Sequence, residues 1–228
     1  MRTFQNLRIT AYLLDGRIAT YDGYLPLDSM LTNAKIRSEH PEWMEAGICP
    51  EDVSNRFIQL PLARVNAGTK YWYWACSFAC FKPLKESSRY WHKRFDQELA
   101  EEYVNFGKRR GTVNVKSAQY KNYRMPLTII LTPKIDWYCV GDAREIAKLL
   151  PLITHIGKKP AQGLGAVKKW EIAAIEEDLS WLRPIPDENG DDEIGIRPPY
   201  WWRENIVRVR WPEDERLGAR AIFDIQQA

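Results

Sequence analysis

The chain is poor in the residues that most often announce a chemistry. Only three histidines occur in 228 residues, and the four cysteines, Cys49, Cys76, Cys80 and Cys139, show no Cys-x-x-Cys pair and no histidine at zinc-ligand spacing. That excludes the common zinc frameworks and favours reduced, buried thiols over a disulfide scaffold. No metal or other cofactor is expected. No apolar run approaches the ~18 residues that a membrane span requires, and the N-terminus has no signal-like apolar stretch, so a cytoplasmic protein with no membrane partner is expected. Charge of one sign is missing locally: between Val104 and Met125 there is no acidic residue. The net charge is only +3, so cations are gathered into one arm of a nearly balanced chain.

Aromatic residues are abundant, with ten Trp and eleven Tyr, and many neighbour Lys or Arg. In the acid-free arm Lys108, Arg109, Arg110, Lys116, Lys121 and Arg124 interleave with Tyr120 and Tyr123. Cations for phosphates and ring faces for unpaired bases are what a single-stranded nucleic acid needs. The alternative is an ordinary solvated loop, although such loops usually mix both signs.

A second concentration of signal is Gly157-Lys158-Lys159-Pro160-Ala161-Gln162-Gly163-Leu164-Gly165. Three glycines permit positive φ and close backbone approach, and two lysines add charge, so exposed N–H groups and ammonium groups can meet phosphate oxygens. The surrounding order of helix, loop, strand excludes the nucleotide-hydrolysis loops, which run strand, loop, helix. A flexible solvated turn is the plain alternative.

Periodicity supplies the scaffold. Leu7, Ile9, Ala11 and Leu13 alternate with polar residues as in a half-buried strand. Asp28 is expected to cap a helix that turns Leu31 and Ala34 inward. Arg56 to Val65 and Lys70 to Phe81 read as a hairpin joined through Asn66-Ala67-Gly68. Trp91, Phe95, Leu99 and Tyr103 recur at helical spacing within Ser87 to Phe106. Leu127 to Leu131 and Ile135 to Val140 read as strands. Asp142 is expected to cap a helix over Ala143 to Leu150, with Glu145 completing a capping box, and Val167 to Ile175 reads as the last core strand. The acidic tract Asp187 to Glu193 reads as an exposed connector to a Trp- and Pro-rich segment, whose apolar surface must cover the main body or meet a partner. The expected class is therefore α+β, with the β-α-β-β-α-β order of a ferredoxin-like (RRM-like) domain over residues 1–183, an insertion at about 82–125, and a C-terminal extension over 184–228.

The glycine loop before the last core strand resembles the G-loop of the CRISPR-associated RAMP superfamily of RNA-binding proteins. The opening strand followed by Pro26-Leu27-Asp28-Ser29, together with a basic insertion ending Tyr120-Lys121-Asn122-Tyr123-Arg124-Met125-Pro126, is similar to the small type IV effector subunit of the fifth Cas family, the Csf-three group. The resemblance covers roughly Leu7 to Ile175. It implies a RAMP core with a thumb insertion, in a subunit that caps the 5′ handle of guide RNA in antiviral or anti-plasmid defence. The implied partners are the guide RNA, backbone subunits and a large or zinc-binding subunit, with target DNA near the first base pairs of the guide–target duplex. By position, Lys158, Lys159, Gly163 and Gly165 would lie against the handle, and the basic residues from Lys108 to Arg124 would form the thumb surface. No catalytic set is expected. The alternative is a RAMP endoribonuclease that processes repeat RNA, for which His92 with Lys93, or His155 with a loop lysine, would supply the base and acid.

Overall fold

A computed structural model describes residues 3–20, 22–42, 58–103, 114–117 and 120–218. The organising sheet has three strands in the order β7-β1-β8, where β1 is Gln5–Leu13, β7 is Lys134–Gly141 and β8 is Val167–Ala174. Strand β1 lies in the middle and is antiparallel to both neighbours. Its alternation is the expected one, with Leu7, Ile9, Ala11 and Leu13 all buried. They pack with Ile135, Trp137 and Cys139 of β7 beneath two helices, α1 (Leu27–Glu39) and α3 (Ala143–Leu149).

The outer side of β7 is lined by residues 75–80 through backbone hydrogen bonds rather than a regular strand. Ser77 N donates to Tyr138 O at 2.7 Å, Val140 N to Ala75 O at 2.9 Å, and Cys80 and Asp136 exchange bonds at 2.8 and 2.9 Å. The expected hairpin before it is present in a short form, β3 (Arg64–Val65) against β4 (Tyr73–Trp74). Cys76, Cys80 and Cys139 are free and buried, and Cys49 lies outside the described residues.

One of the two expected caps is absent, and the other lacks its reciprocal bond. Helix α1 starts at Leu27 with Pro26 in the N-cap position, so Asp28 is inside the first turn and is not the cap. Its carboxylate is fully buried and receives the Tyr200 hydroxyl at 2.8 Å, with Arg183 Nη1 3.8 Å away. Burial pushes this carboxyl up, against the opposing effects of Arg183 and Tyr200. At α3, Asp142 does cap, accepting from Arg144 N and Glu145 N. Glu145 pairs with Lys148 at 2.6 Å, while Asp142 N donates to Pro61 O, so that N–H is already engaged and the reciprocal bond of the capping box has no role.

The mixed segment Ser87 to Phe106, where helical spacing runs from Trp91 to Tyr103, divides into strand and helix. Residues Lys85–Lys93 form β5, and only Gln97–Tyr103 is helical, as α2. Strand β5 pairs along its whole length with β6 (Tyr123–Leu131), whose base also pairs with the short β2 (Arg17–Ala19). The basic insertion is thus a two-stranded arm rooted in a second sheet, β2-β6-β5.

The C-terminal segment forms a third small sheet, β10-β11-β9, from Asp192–Gly195, Ile206–Arg210 and Ile185–Pro186. It is fastened to the body by buried arginines. Arg183 Nη1 donates to Trp74 O at 3.0 Å and Cys76 O at 3.1 Å, and its Nη2 donates to Ile196 O. Arg197 Nη1 reaches Lys70 O and Trp72 O at 2.9 and 2.8 Å. Much of the Trp-rich surface therefore covers the body, while Trp201 remains 58% exposed. Among the described residues no helix is long and apolar enough to cross a membrane.

Candidate nucleic-acid interface

The glycine loop is built against β2. Gly157 and Gly165 have positive φ, 81° and 71°, and neither has room for a side chain: an added Cβ would lie 2.6 Å from Ala19 O in the first case and 1.8 Å from Ile156 O in the second. Lys158 N donates to Ala19 O and Gly165 N to Arg17 O, both at 2.8 Å. Between these anchors a single 3-10 turn, Pro160–Gln162, is closed by bonds from Gln162 N to Lys159 O and Gly163 N to Pro160 O. Four of the loop's N–H groups are therefore spent internally. The expectation of a backbone cradle is corrected at those four positions; none of these bonds uses the N–H groups of Gly157, Lys159, Ala161 and Leu164. Gly165 has a packing role, whereas Gly163 is exposed with open space around its Cα.

Lys159 occupies the left-handed region at φ 61°. Its Nζ sits 3.6 Å from the ring centroid of Trp91 on β5, within cation–π range. The loop and the arm, remote in sequence, are joined by this contact. Trp91 also meets Tyr123 edge-on at 5.3 Å, and Lys93 lies over Tyr123 at 5.6 Å, so two adjoining rings carry a cation at each end, Lys159 on Trp91 and Lys93 on Tyr123. Behind Trp91 a small apolar floor of Leu127, Ile129 and Leu164 is buried.

Above that floor lies an open cleft of about 450 Å³ lined by Arg17, Arg89, Tyr90, Trp91, His92, Leu127, Ile129, Gln162 and Leu164. None of these is acidic. Among the described residues no ion pair reaches Arg89, Lys116, Lys121 or Arg124, and all four are exposed. Arg124 instead stacks on Tyr90 at 3.8 Å, and Tyr120 meets Phe95 at 5.1 Å near the tip. The structure thus brings Tyr123 and Lys159 together, places Arg124 beside them on the same arm, and leaves Lys116, Tyr120 and Lys121 exposed further out. Lys108, Arg109 and Arg110 lie outside the described residues.

The two histidines considered for catalysis do not converge. His92 lines the arm-side cleft, and His155 lines a separate cleft on the α1 side of the loop. On a strand His92 and Lys93 leave from opposite faces, and Lys93 does not line the cleft that His92 lines. His155 is exposed, with Nδ1 3.1 Å from Thr154 Oγ1, and it shares its cleft with Lys158. Sequence reasoning missed Trp91, Arg89 and Arg17 as members of the site. Arg89 and Lys93, each two residues from Trp91, were the available signal.

A family model, CRISPR type IV associated protein Csf3, matches residues 5–212. The chain belongs to this Csf3 family. The match spans the glycine loop, the arm and the C-terminal sheet, and so extends beyond the stretch that the resemblance in sequence covered. No curated protein matches the chain significantly.

Proposed function

We propose that this Csf3-family chain is a non-catalytic RNA-binding subunit of a type IV CRISPR effector complex, in which arm and glycine loop together grip the 5′ handle of the guide. The observation that carries the reading is the contact of Lys159 with Trp91, which unites the two basic features around an acid-free cleft with an apolar floor. Such a cleft suits an unstacked base that takes the place of Lys159 on Trp91 and frees its ammonium, with Arg89, for the phosphates, the mode by which single-stranded RNA is recognised. The strand order β8-β1-β7, continued by residues 75–80, with α1 and α3 on one face, supports a ferredoxin-like RAMP core. In this reading the arm is the thumb, neighbouring backbone and large or zinc-binding subunits complete the particle, and target DNA passes close to the cap.

The test is a binding titration of repeat-derived RNA with the full chain and its variants. Trp91→Ala removes one stacked base and is expected to weaken binding by roughly 5- to 150-fold, the equivalent of ~1–3 kcal/mol. If about five phosphates are neutralised, the log–log salt slope is roughly −3 to −4. Binding that is indifferent to Trp91→Ala, Lys159→Ala and the triple change of Lys108, Arg109 and Arg110 to Ala would sink the reading. The second reading, a metal-free endoribonuclease, is favoured only by the sharing of one cleft by His155 and Lys158. It requires a new RNA 5′ end on a denaturing gel, lost in His155→Ala.

A further inference from the structure

The glycine loop separates two clefts rather than bordering one. Gln162 and Leu164 face the arm-side cleft, whereas Gly157, Lys158 and Pro160 line a second opening of about 520 Å³ on the side of α1. The left-handed turn at Lys159 is what divides the loop in this way. Lys159 goes to Trp91, and its neighbour Lys158 lines the other side.

The far wall of the second cleft is a stripe of α1. Ser29, Asn33 and Arg37 recur every four residues and so share one face of the helix. Asn33 and Arg37 are exposed, and among the described residues neither has a hydrogen-bonding or ionic partner. Opposite them stand His155 and Lys158, and no acidic residue lines the opening. Met30, Leu25 and Pro26 supply an apolar floor between the polar walls. A cation and an unengaged carboxamide over an apolar floor are complementary to a nucleotide: phosphate to Arg37 and Lys158, base edge to Asn33.

We propose that the α1-side cleft is a second nucleotide site, in which Arg37 holds a backbone phosphate and Asn33 contacts a base edge of an RNA strand that crosses over the glycine loop from the arm. The proposal rests on the RNA-binding reading above and extends it to the α1 wall, which neither loop nor arm provides. The loop then acts as a saddle, with one lysine on each flank.

The experiment uses the full chain and a fluorescein-labelled, 4-thiouridine-containing U12 oligoribonucleotide. Polarisation titrations across a salt series compare wild type with Arg37→Ala, Arg37→Lys and Asn33→Ala, and irradiated complexes are mapped by mass spectrometry. Arg37→Ala is expected to make the log–log salt slope shallower by about 0.7, the loss of one phosphate contact on a single strand, and Arg37→Lys to restore it. Crosslinks are expected both at the arm and around Met30. An unchanged slope with crosslinks confined to the arm overturns the second site while leaving the RNA-binding reading intact. An unchanged slope together with lost co-purification of a neighbouring subunit reassigns the cleft to a protein partner and overturns it as well. If wild type binds neither U12 nor repeat RNA, alone or within its complex, the RNA-binding reading fails and takes this site with it.

Discussion

Arg183 is the sharpest place to perturb the fold, because one fully buried guanidinium serves three separate segments. It donates to Trp74 O and Cys76 O beside β4, to Ile196 O in the C-terminal segment, and stands 3.8 Å from Asp28 in α1. Arg183→Lys keeps the charge but replaces a planar fork by one nitrogen, which cannot reach carbonyls on both sides. Leaving one or two buried carbonyls without a donor costs ~1–3 kcal/mol each, so the expected loss is ~2–5 kcal/mol. Arg183→Met also orphans the Asp28 carboxylate, and breaking a buried pair from one side costs ~3–5 kcal/mol before the carbonyls are counted. Against a typical total of ~5–15 kcal/mol, that variant is near its unfolding threshold. The Asp28→Asn and Arg183→Met changes together should cost less than the sum of the two single changes, since the double variant buries no lone charge. Urea unfolding of the four proteins, followed by tryptophan fluorescence, gives the coupling. Additivity within ~0.5 kcal/mol would refute the argument that these residues act as a pair.

Other expectations follow from the thiols, the glycines and Tyr200. Burial pushes the Cys80 and Cys139 thiols up to about 12 and Cys76 up as well, so they stay neutral in the fold while the unfolded chain ionises near pH 8.5. The unfolded state therefore binds fewer protons above that pH, and stability should fall by ~1.4 kcal/mol per pH unit per thiol, about 3 for the first two, between roughly pH 9 and 12. Denaturant midpoints from pH 8 to 10.5 check the sign, and native protein should resist thiol reagents at pH 8. Gly165→Ala, whose new Cβ meets Ile156 O, should cost more than ~3 kcal/mol, whereas Gly163→Ala, strained only by its positive φ, should cost about 1 kcal/mol. Thermal melts of the two variants distinguish them. Tyr200→Phe withdraws the hydroxyl from Asp28 and should lower stability by ~1–3 kcal/mol in the same assay.

The parts legible in the sequence are those whose cause is local. The alternation of β1 and the Asp142 cap needed only neighbouring residues, and both appear as expected. Asp28 was misread because its partners, Arg183 and Tyr200, arrive from the far end of the chain and no local pattern announces them. The arm was misread for a different reason. Trp91, Phe95, Leu99 and Tyr103 keep helical spacing across a junction where strand β5 gives way to α2, and β5 is largely exposed on both faces, so alternation does not betray it. The composition of the candidate interface was visible, but the meeting of Lys159 with Trp91 depends on β2 holding loop and arm in register.

That short strand gives the interface its mechanics. Arg17–Ala19 accepts the two anchoring bonds of the glycine loop on one edge and pairs with the root of the arm on the other. The arm is a lever, and three residues of backbone are its fulcrum. A pull at the tip reaches the loop as torque through the fulcrum, without any side chain having to relay it. In the RNA-binding reading, a load on the arm would bear on the two lysines through these three residues.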